Sequence, residues 1–159
     1  MRRLALLLTA LALAGCGGSG GSATTTSAAA PPGPGTTLYA GGDWAVVLDG
    51  DHATAFHRVE GTWNADTSGA VKIRILGPDG NVAPTPQVAA ELSAQKPLIE
   101  SGMWVDGKEL VVKGGGLSAT KGTIYGAPGA PLTKGTHVAV AYGRTAEHAT
   151  AVAWSFRVV

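Results

Sequence analysis

The sequence predicts an all-β sandwich of about nine strands, because apolar and polar residues alternate and turn signals separate the alternating stretches. Residues 71–75 and 152–158 alternate strictly, with apolar side chains on one face of each stretch. Turn signals such as Asp49-Gly50 and Asp106-Gly107 recur about every ten residues, and Asp-Gly favours tight hairpins. Short strands with regularly spaced turns favour a sandwich or barrel over alternating strands and helices.

Each predicted strand is a short stretch of alternating or β-favouring residues bounded by turn residues. The predicted strands cover residues 44–48, 53–59, 71–75, 87–93, 102–105, 109–113, 123–125, 137–142 and 151–158. Residues 88–95 could also form a helix, but the segment is short and we predict a strand there. The residues predicted to form the core are Trp44, Val46, Ile73, Ile75, Leu92, Trp104, Val138, Val140, Tyr142, Val152, Trp154 and Phe156.

The amino terminus has the order of a secretory signal: positive residues, an apolar run and then small residues. Arg2 and Arg3 precede residues 4–13, which are apolar except for Thr9. This run is about half of the ~20 residues that a membrane-spanning helix requires, so we expect no permanent span. We therefore predict a signal peptide over residues 1–15 that is removed on export.

The end of this leader, Leu13-Ala14-Gly15-Cys16, resembles the lipobox of bacterial lipoproteins. The resemblance implies that the Cys16 sulfur carries a lipid and that Cys16 becomes the first residue of the mature chain. The protein would then be extracytoplasmic and held on the outer face of the cell membrane, or on the outer membrane. Cys16 is the single cysteine, so an internal disulfide is excluded. The alternative is an ordinary signal peptide with a chance cysteine.

After Cys16, residues 17–37 contain only Gly, Ser, Ala, Thr and Pro. Such a segment has no large apolar side chain to bury against the entropy of ordering. We predict a flexible tether over residues 16–37, with an end-to-end distance of about 25 Å. The folded domain would span residues 38–159, which is long enough to bury a core without disulfides.

The charge of the chain excludes one class of partner. The full sequence has 12 Lys+Arg and 11 Asp+Glu, and loss of the leader removes two arginines. The mature chain is therefore almost neutral, and no basic run stands out along it. We expect no nucleic-acid partner, because such proteins carry a basic footprint.

Three segments of the second half resemble the Ig-like domains of bacterial surface and secreted proteins. Residues 104–107 (Trp-Val-Asp-Gly) resemble their central hairpin, residues 132–140 the entry into a late strand, and residues 153–158 the terminal strand. The resemblance covers roughly residues 82–159 and implies an Ig-like antiparallel β-sandwich. It also implies a spacer, adhesive or binding module without a shared catalytic site. We expect a non-catalytic envelope protein, with another envelope protein as a candidate partner.

Metal binding is the alternative function. His148 precedes the last strand, as a ligand histidine does in the periplasmic copper-resistance β-sandwich proteins, so His148 and another histidine could bind copper. That family also uses a histidine at its mature amino terminus, where this chain would have a lipidated cysteine. His52 and His57 would point to opposite faces of one strand. We favour ordinary polar histidines and expect no metal or other cofactor.

Catalysis has little support in the sequence. Gly-x-Ser-x-Gly and His-Glu-x-x-His are absent. Acidic residues such as Glu100, Asp106 and Glu147 are scattered over predicted turns with no spacing that implies an acid–base pair. The tryptophans could form a sugar-binding platform, but all except Trp63 fit inward positions, and Trp63 is the one expected to be exposed.

A face rich in alanine distinguishes the last two predicted strands. We assign Val138, Val140, Tyr142, Val152, Trp154 and Phe156 to their inward faces. The opposite faces would carry Ala139, Ala141, Ala151 and Ala153, where a solvated sheet normally shows charged or long polar residues. We predict that this alanine face is covered, either by residues 38–80 or by a partner protein. Alanine enrichment from a GC-rich genome is the alternative explanation.

Overall fold

A computed structural model describes residues 32–114 and 118–159 of the chain. The signal peptide, Cys16 and the tether up to residue 31 lie outside the described residues. The described part forms thirteen strands: β1 (Thr36–Gly41), β2 (Trp44–Asp49), β3 (His52–Val59), β4 (Thr62–Ala65), β5 (Val71–Gly77), β6 (Asn81–Val82), β7 (Val88–Ala94), β8 (Glu100–Val105), β9 (Lys108–Glu109), β10 (Lys113–Gly114), β11 (Lys121–Gly126), β12 (Gly135–Arg144) and β13 (Ala149–Val158).

The strands form three sheets. The first four strands pair with their chain neighbours and make the N-terminal sheet, β1-β2-β3-β4. The central sheet has the order β6-β13-β12-β8-β9, and the back sheet has the order β10-β11-β7-β5. All pairs are antiparallel except β6 with β13, which are parallel. The prediction of an all-β fold is confirmed.

The order of strands in the central and back sheets is that of an Ig-like sandwich. In the back sheet β5, β7, β11 and β10 take the places of strands A, B, E and D. In the central sheet β8, β12 and β13 take the places of strands C, F and G, and β9 extends the sheet beyond strand C. Residues 71–158 therefore form the Ig-like sandwich, which begins before the segment 82–159 that carried the resemblance.

Two apolar clusters lie on opposite sides of the central sheet, which is therefore the middle of three layers. The back-side cluster lies between the central and back sheets, and its buried members are Val71, Val88, Ala90, Leu92, Leu98, Met103, Val105, Leu110, Ile124, Ala139, Ala141, Trp154, Phe156 and Val158. The front-side cluster lies between the central and N-terminal sheets, and its buried members are Trp44, Val46, Ala55, Trp104, Val140, Tyr142 and Ala149. The first strands thus form a sheet added to the Ig-like sandwich.

The grouping of four alanines on one face is wrong. Ala139 pairs with Trp154, and Val140 pairs with Ala153, so each alanine shares its face with a large residue of the neighbouring strand. Ala139 and Ala141 belong to the back-side cluster, whereas Ala151 and Ala153 pack against the front-side cluster. Placing Val140 and Trp154 on one face was an error of one residue in register, which exchanges the faces of a strand. Each face of the β12–β13 hairpin combines small and large side chains.

Several strand boundaries differ from the prediction. β1 begins at Thr36, inside the predicted tether, and pairs with β2 although its sequence has no clear alternation. The predicted strand 109–113 does not form as one strand, because Leu110 turns into the core between the short strands β9 and β10. β4 and β6 were not predicted, since β4 (Thr-Trp-Asn-Ala) has a single large apolar side chain and β6 has only two residues, so neither shows an alternation.

Four predicted core residues are less buried than expected. Ile75 is 38% exposed and lies on β5, the edge strand of the back sheet. Val138 and Val152 are only partly buried. Ile73 is also partly buried and packs against the back-side cluster, and the other predicted core residues are buried.

Candidate functional site

A groove of about 570 Å³ lies at one end of the Ig-like sandwich. Three segments meet there: the connection from β4 to β5, the loop after β7, and the turn between β12 and β13. The latter two correspond to the B–C and F–G loops, which lie at the antigen-binding end of antibody variable domains. The polar side chains that line the groove are Ser68, Lys72, Ser93, Gln95, Lys96, Thr145, Glu147 and His148.

Asp66, the residue directly after β4, holds two of the residues that line this groove, Ser68 and His148. Its carboxylate accepts hydrogen bonds from the backbone N–H of Ser68 at 2.9 Å and of Ala149 at 2.8 Å. Its Oδ2 atom also lies 3.2 Å from Nδ1 of His148. Burial alone would raise the pKa of Asp66, but these hydrogen bonds outweigh it and lower the pKa. Asp66 therefore stays ionised and joins the N-terminal sheet to the start of β13.

The buried residue Thr145 fixes the turn between β12 and β13. The Thr145 backbone N–H donates to the carbonyl of His148 at 2.8 Å. Its hydroxyl accepts from the backbone N–H groups of Glu147 and His148 and donates to the His148 carbonyl. The hydroxyl is thus fully used within the turn, so Thr145 shapes the groove and has no proton to exchange with a ligand.

Charged groups cross the mouth of the groove. Lys96 Nζ lies 2.5 Å from Glu147 Oε1 and links the loop after β7 to the turn before β13. This hydrogen bond from Lys96 lowers the pKa of Glu147, so Glu147 is a poor proton donor near neutral pH. Lys72 is exposed and forms no salt bridge within residues 32–114 and 118–159. The groove thus offers hydroxyl, amide and ammonium groups, which suit a polar ligand with an anionic group.

The four histidines lie in four different settings. His52 contacts Asp51 at 2.5 Å in the exposed β2–β3 hairpin, and His57 stacks on Trp44 with ring centroids 4.0 Å apart. His137 and His148 lie near opposite ends of the β12–β13 hairpin, a separation on the order of 20 Å. In the part of the chain that the structure describes, no three His, Cys, Asp or Glu side chains are placed to hold a metal ion.

His137 is held by two acceptors. Its Nδ1 atom lies 2.6 Å from Asp106 Oδ2 and its Nε2 atom 2.8 Å from the carbonyl oxygen of Thr133. Both ring nitrogens must carry a proton to satisfy an ionised carboxylate and a carbonyl, so the ring is an imidazolium. The hydrogen bond to Asp106 is the main cause that raises the pKa of His137. His137 therefore fastens the β8–β9 turn to the start of β12, far from the groove.

A second polar cluster connects the N-terminal sheet to the central sheet. The Tyr39 hydroxyl donates to Glu100 Oε1 at 2.6 Å, and Arg144 Nε donates to the other oxygen of the same carboxylate. The Arg144 guanidinium lies over the Trp44 ring at 5.5 Å. Burial and the hydrogen bond to Glu100 raise the pKa of Tyr39 to about 12. Arg144 directly precedes Thr145 in the chain, so this polar cluster fixes the start of the turn that forms one wall of the groove.

Sequence reasoning found His148 but missed the groove. Asp66, Tyr39 and Arg144 are far apart along the chain, and no local pattern marks them as neighbours. Trp63 is partly buried on the outer face of the N-terminal sheet, with the Arg58 guanidinium 5.4 Å from its ring. Cys16, the predicted lipid attachment site, lies outside the described residues. Those residues include no helix with the length and apolar character needed to cross a bilayer.

No family model and no curated protein matches the chain. One similar solved structure is described as the crystal structure of the titin M10–obscurin-like 1 Ig complex. It shares 12% sequence identity and a TM-score of 0.35, and the alignment covers 56% of this chain and 95% of that chain. At this similarity the likeness supports no conclusion about function, and the Ig-like assignment stands on the strand order.

Proposed function

We propose that this protein is a lipid-anchored, non-catalytic module of the bacterial cell envelope, and that its Ig-like domain binds a polar partner in the groove. The observation that carries the binding proposal is the convergence of hydroxyl, amide and ammonium groups where the loops of the sandwich meet. Such a concave site with a few convergent polar groups is the usual form of a ligand site.

The proposal that the domain is non-catalytic is supported by the interactions that already occupy the side chains that could act as acid, base or nucleophile. Glu147 is ion-paired to Lys96, Asp66 accepts backbone hydrogen bonds, and the Thr145 hydroxyl is used within its turn. The Thr145 hydroxyl hydrogen-bonds only to backbone groups of its own turn, and the carboxylate that the Ser68 hydroxyl contacts, Asp66, has a lowered pKa and is therefore a weak base. The groove is therefore suited to binding, and nothing in the described part favours the copper alternative.

The anchor is supported by the leader and by the position of Cys16. Metabolic labelling with a fatty-acid analogue tests it in the wild type, in Cys16→Ala and in the tether control Ser22→Ala. We expect label on the wild type and on Ser22→Ala but none on Cys16→Ala, which would be secreted or retained as precursor. Equal labelling of all three proteins would refute the anchor.

The groove is tested by site-specific photo-crosslinking in intact cells. A photoreactive amino acid replaces the exposed Gln95 in the groove or, as the control, the exposed Lys134 near the opposite end of the sandwich. We expect the Gln95 position to capture an envelope component that is absent at position 134. The same captured species at both positions, or none at Gln95, would contradict the groove as the binding site.

A further inference from the structure

The outward face of the back sheet gathers basic side chains that are scattered in the sequence. Lys72 and Lys121 both pair with Ser93 from opposite sides, which places the three residues in one row across the sheet. In the next row, Arg74 and Glu91 are paired residues. Lys113 pairs with Tyr125 in β10 and β11. These residues alternate with the buried Val71, Leu92 and Ile124, so they face away from the core.

We define the basic face as Lys72, Arg74, Lys113 and Lys121 around Glu91. Arg74 Nε and Lys121 Nζ each lie 3.2 Å from an oxygen of Glu91, and hydrogen bonds from Arg74 and then Lys121 lower the pKa of this carboxyl. The Arg74 and Lys121 side chains remain 68% and 64% exposed, while that of Glu91 is 19% exposed. One recessed carboxylate thus lies among four cations, and the face keeps an excess of positive charge.

The opposite side of the three-layer stack is acidic. The segment that contains the N-terminal sheet carries no lysine and a single arginine, Arg58, whose guanidinium pairs with Asp43. The acidic residues of that segment are Asp43, Asp49, Asp51, Glu60 and Asp66. The two outer layers therefore differ in charge, and an anionic surface would attract the basic face and repel the N-terminal sheet.

Tyr125 adds a second feature to the basic face. It lies between Ala89 of β7 and Lys113 of β10, and its ring is partly exposed next to the cations. Tyrosine has an apolar ring with a polar tip, which suits the headgroup level of a bilayer. Cations with an adjacent tyrosine fit a membrane surface better than a rigid ligand.

We propose that the basic face docks on the anionic phospholipid headgroups of the membrane that holds the protein. The proposal rests on the proposed lipid anchor for its local concentration. The chain from Cys16 to Thr36 can span at most about 66 Å, which is enough to pass around layers spaced about 10 Å apart. Because Lys72 belongs both to the basic face and to the groove, docking would orient the groove mouth close to the membrane surface.

Vesicle co-sedimentation tests the face without the anchor. The probe is the mature chain with Cys16→Ser, mixed with phosphatidylcholine vesicles that either contain or lack phosphatidylglycerol, at low and at high salt. We expect binding only to the anionic vesicles and release at high salt, because exposed charges are screened. The triple variant Arg74→Ser/Lys113→Ser/Lys121→Ser should lower the bound fraction at least about tenfold.

The matched control is Lys108→Ser/Lys134→Ser/Arg157→Ser, which removes the same charge at exposed positions away from the back sheet. We expect it to bind within about twofold of the parent. The pair Lys72→Ser/Lys113→Ser removes no salt bridge of the described residues and gives a second test if the triple variant is unstable.

Absent binding to anionic vesicles, or equal losses in both triple variants, would overturn the proposal. Binding to soluble polyphosphate but not to vesicles would also overturn it, since the ligand would then be a free polyanion. Fatty-acid labelling without vesicle binding would refute only the basic face. Vesicle binding without labelling would refute only the anchor.

Discussion

The two faces of the central sheet are both buried, but they are built from different chemistry. The face toward the back sheet is almost entirely apolar, and its buried side-chain hydrogen bond runs from Trp154 Nε1 to the carbonyl of Pro78 at 3.0 Å. The face toward the N-terminal sheet combines aromatic rings with the Tyr39–Glu100–Arg144 cluster. The first resembles the interior of a sandwich, and the second resembles an interface between two parts of a protein.

This difference suggests how stability is distributed. Removing apolar volume on the back side should be costly, because the surrounding packing has no alternative partners. Removing polar partners on the front side should cost less, because part of that cluster reaches solvent. The back sheet and the N-terminal sheet should nevertheless unfold together, since both pack against the central sheet.

The largest expected effect is on the back side. Leu92→Ala should lower the free energy of unfolding by about 3 kcal/mol, because Leu92 is fully buried and its loss leaves a cavity. Urea denaturation of the mature chain with Cys16→Ser measures this. Leu76→Ala is the control, since Leu76 is exposed on β5, and we expect a change below about 0.5 kcal/mol. Equal costs at the two positions would contradict the assigned core.

The next effect concerns the polar cluster of Tyr39, Glu100 and Arg144 on the front side of the central sheet. Arg144→Met should lower the free energy of unfolding by about 2 kcal/mol, because it leaves Glu100 and the base of the turn without their charged partner. A double-mutant cycle with Tyr39→Phe measures the coupling through the shared carboxylate. Additive effects of the two substitutions would show that the three side chains do not act as a cluster.

A pH dependence should distinguish His137 from the acidic residues. Its folded-state pKa is raised, so its stabilisation is complete below the unfolded-state value of about 6.5 and is lost as pH rises through the folded-state pKa. We expect a loss of about 1 kcal/mol on that rise, measured by denaturation over pH and absent in His137→Gln. Asp66 has a lowered pKa, so its contribution is instead lost as pH falls. A wild-type profile parallel to that of His137→Gln would contradict the imidazolium assignment.

The smallest effect should be a gain. The Tyr142 hydroxyl is buried without a well-aligned hydrogen-bond partner among the described residues, and burial raises the pKa of Tyr142 although the nearby Arg144 acts to lower it. Tyr142→Phe should leave the free energy of unfolding unchanged or raise it by up to about 1 kcal/mol. Calorimetry measures this, and a clear loss of stability would reveal a partner for the hydroxyl.

Local patterns predicted much of the fold. Period-two alternation located β2, β5, β7, β12 and β13, because apolar side chains gather on one face of each strand. The same alternation could not set the register between β12 and β13, and an error of one residue put the four alanines on a false common face. The front side was missed for a related reason, since no local pattern shows that Tyr39 meets Glu100.

The site was less predictable than the fold. His148 was noticed from its position before the last strand, but its partner Asp66 lies far away in the sequence. The basic face was also invisible, since its cations lie on three strands and no basic run marks them. Both the His148–Asp66 contact and the basic face depend on how strands distant in the sequence lie beside one another, which is established only in the folded chain.

Native-state hydrogen exchange tests most directly whether the N-terminal sheet is an integral layer of the domain. The amides of β2, which is paired on both sides, are compared with those of β7 and β12. We expect the slowest amides of all three strands to exchange with the same free energy, through global unfolding. Exchange of β1–β4 at a much lower free energy, with β7 and β12 still protected, would show that the N-terminal sheet is a detachable part and contradict the three-layer account.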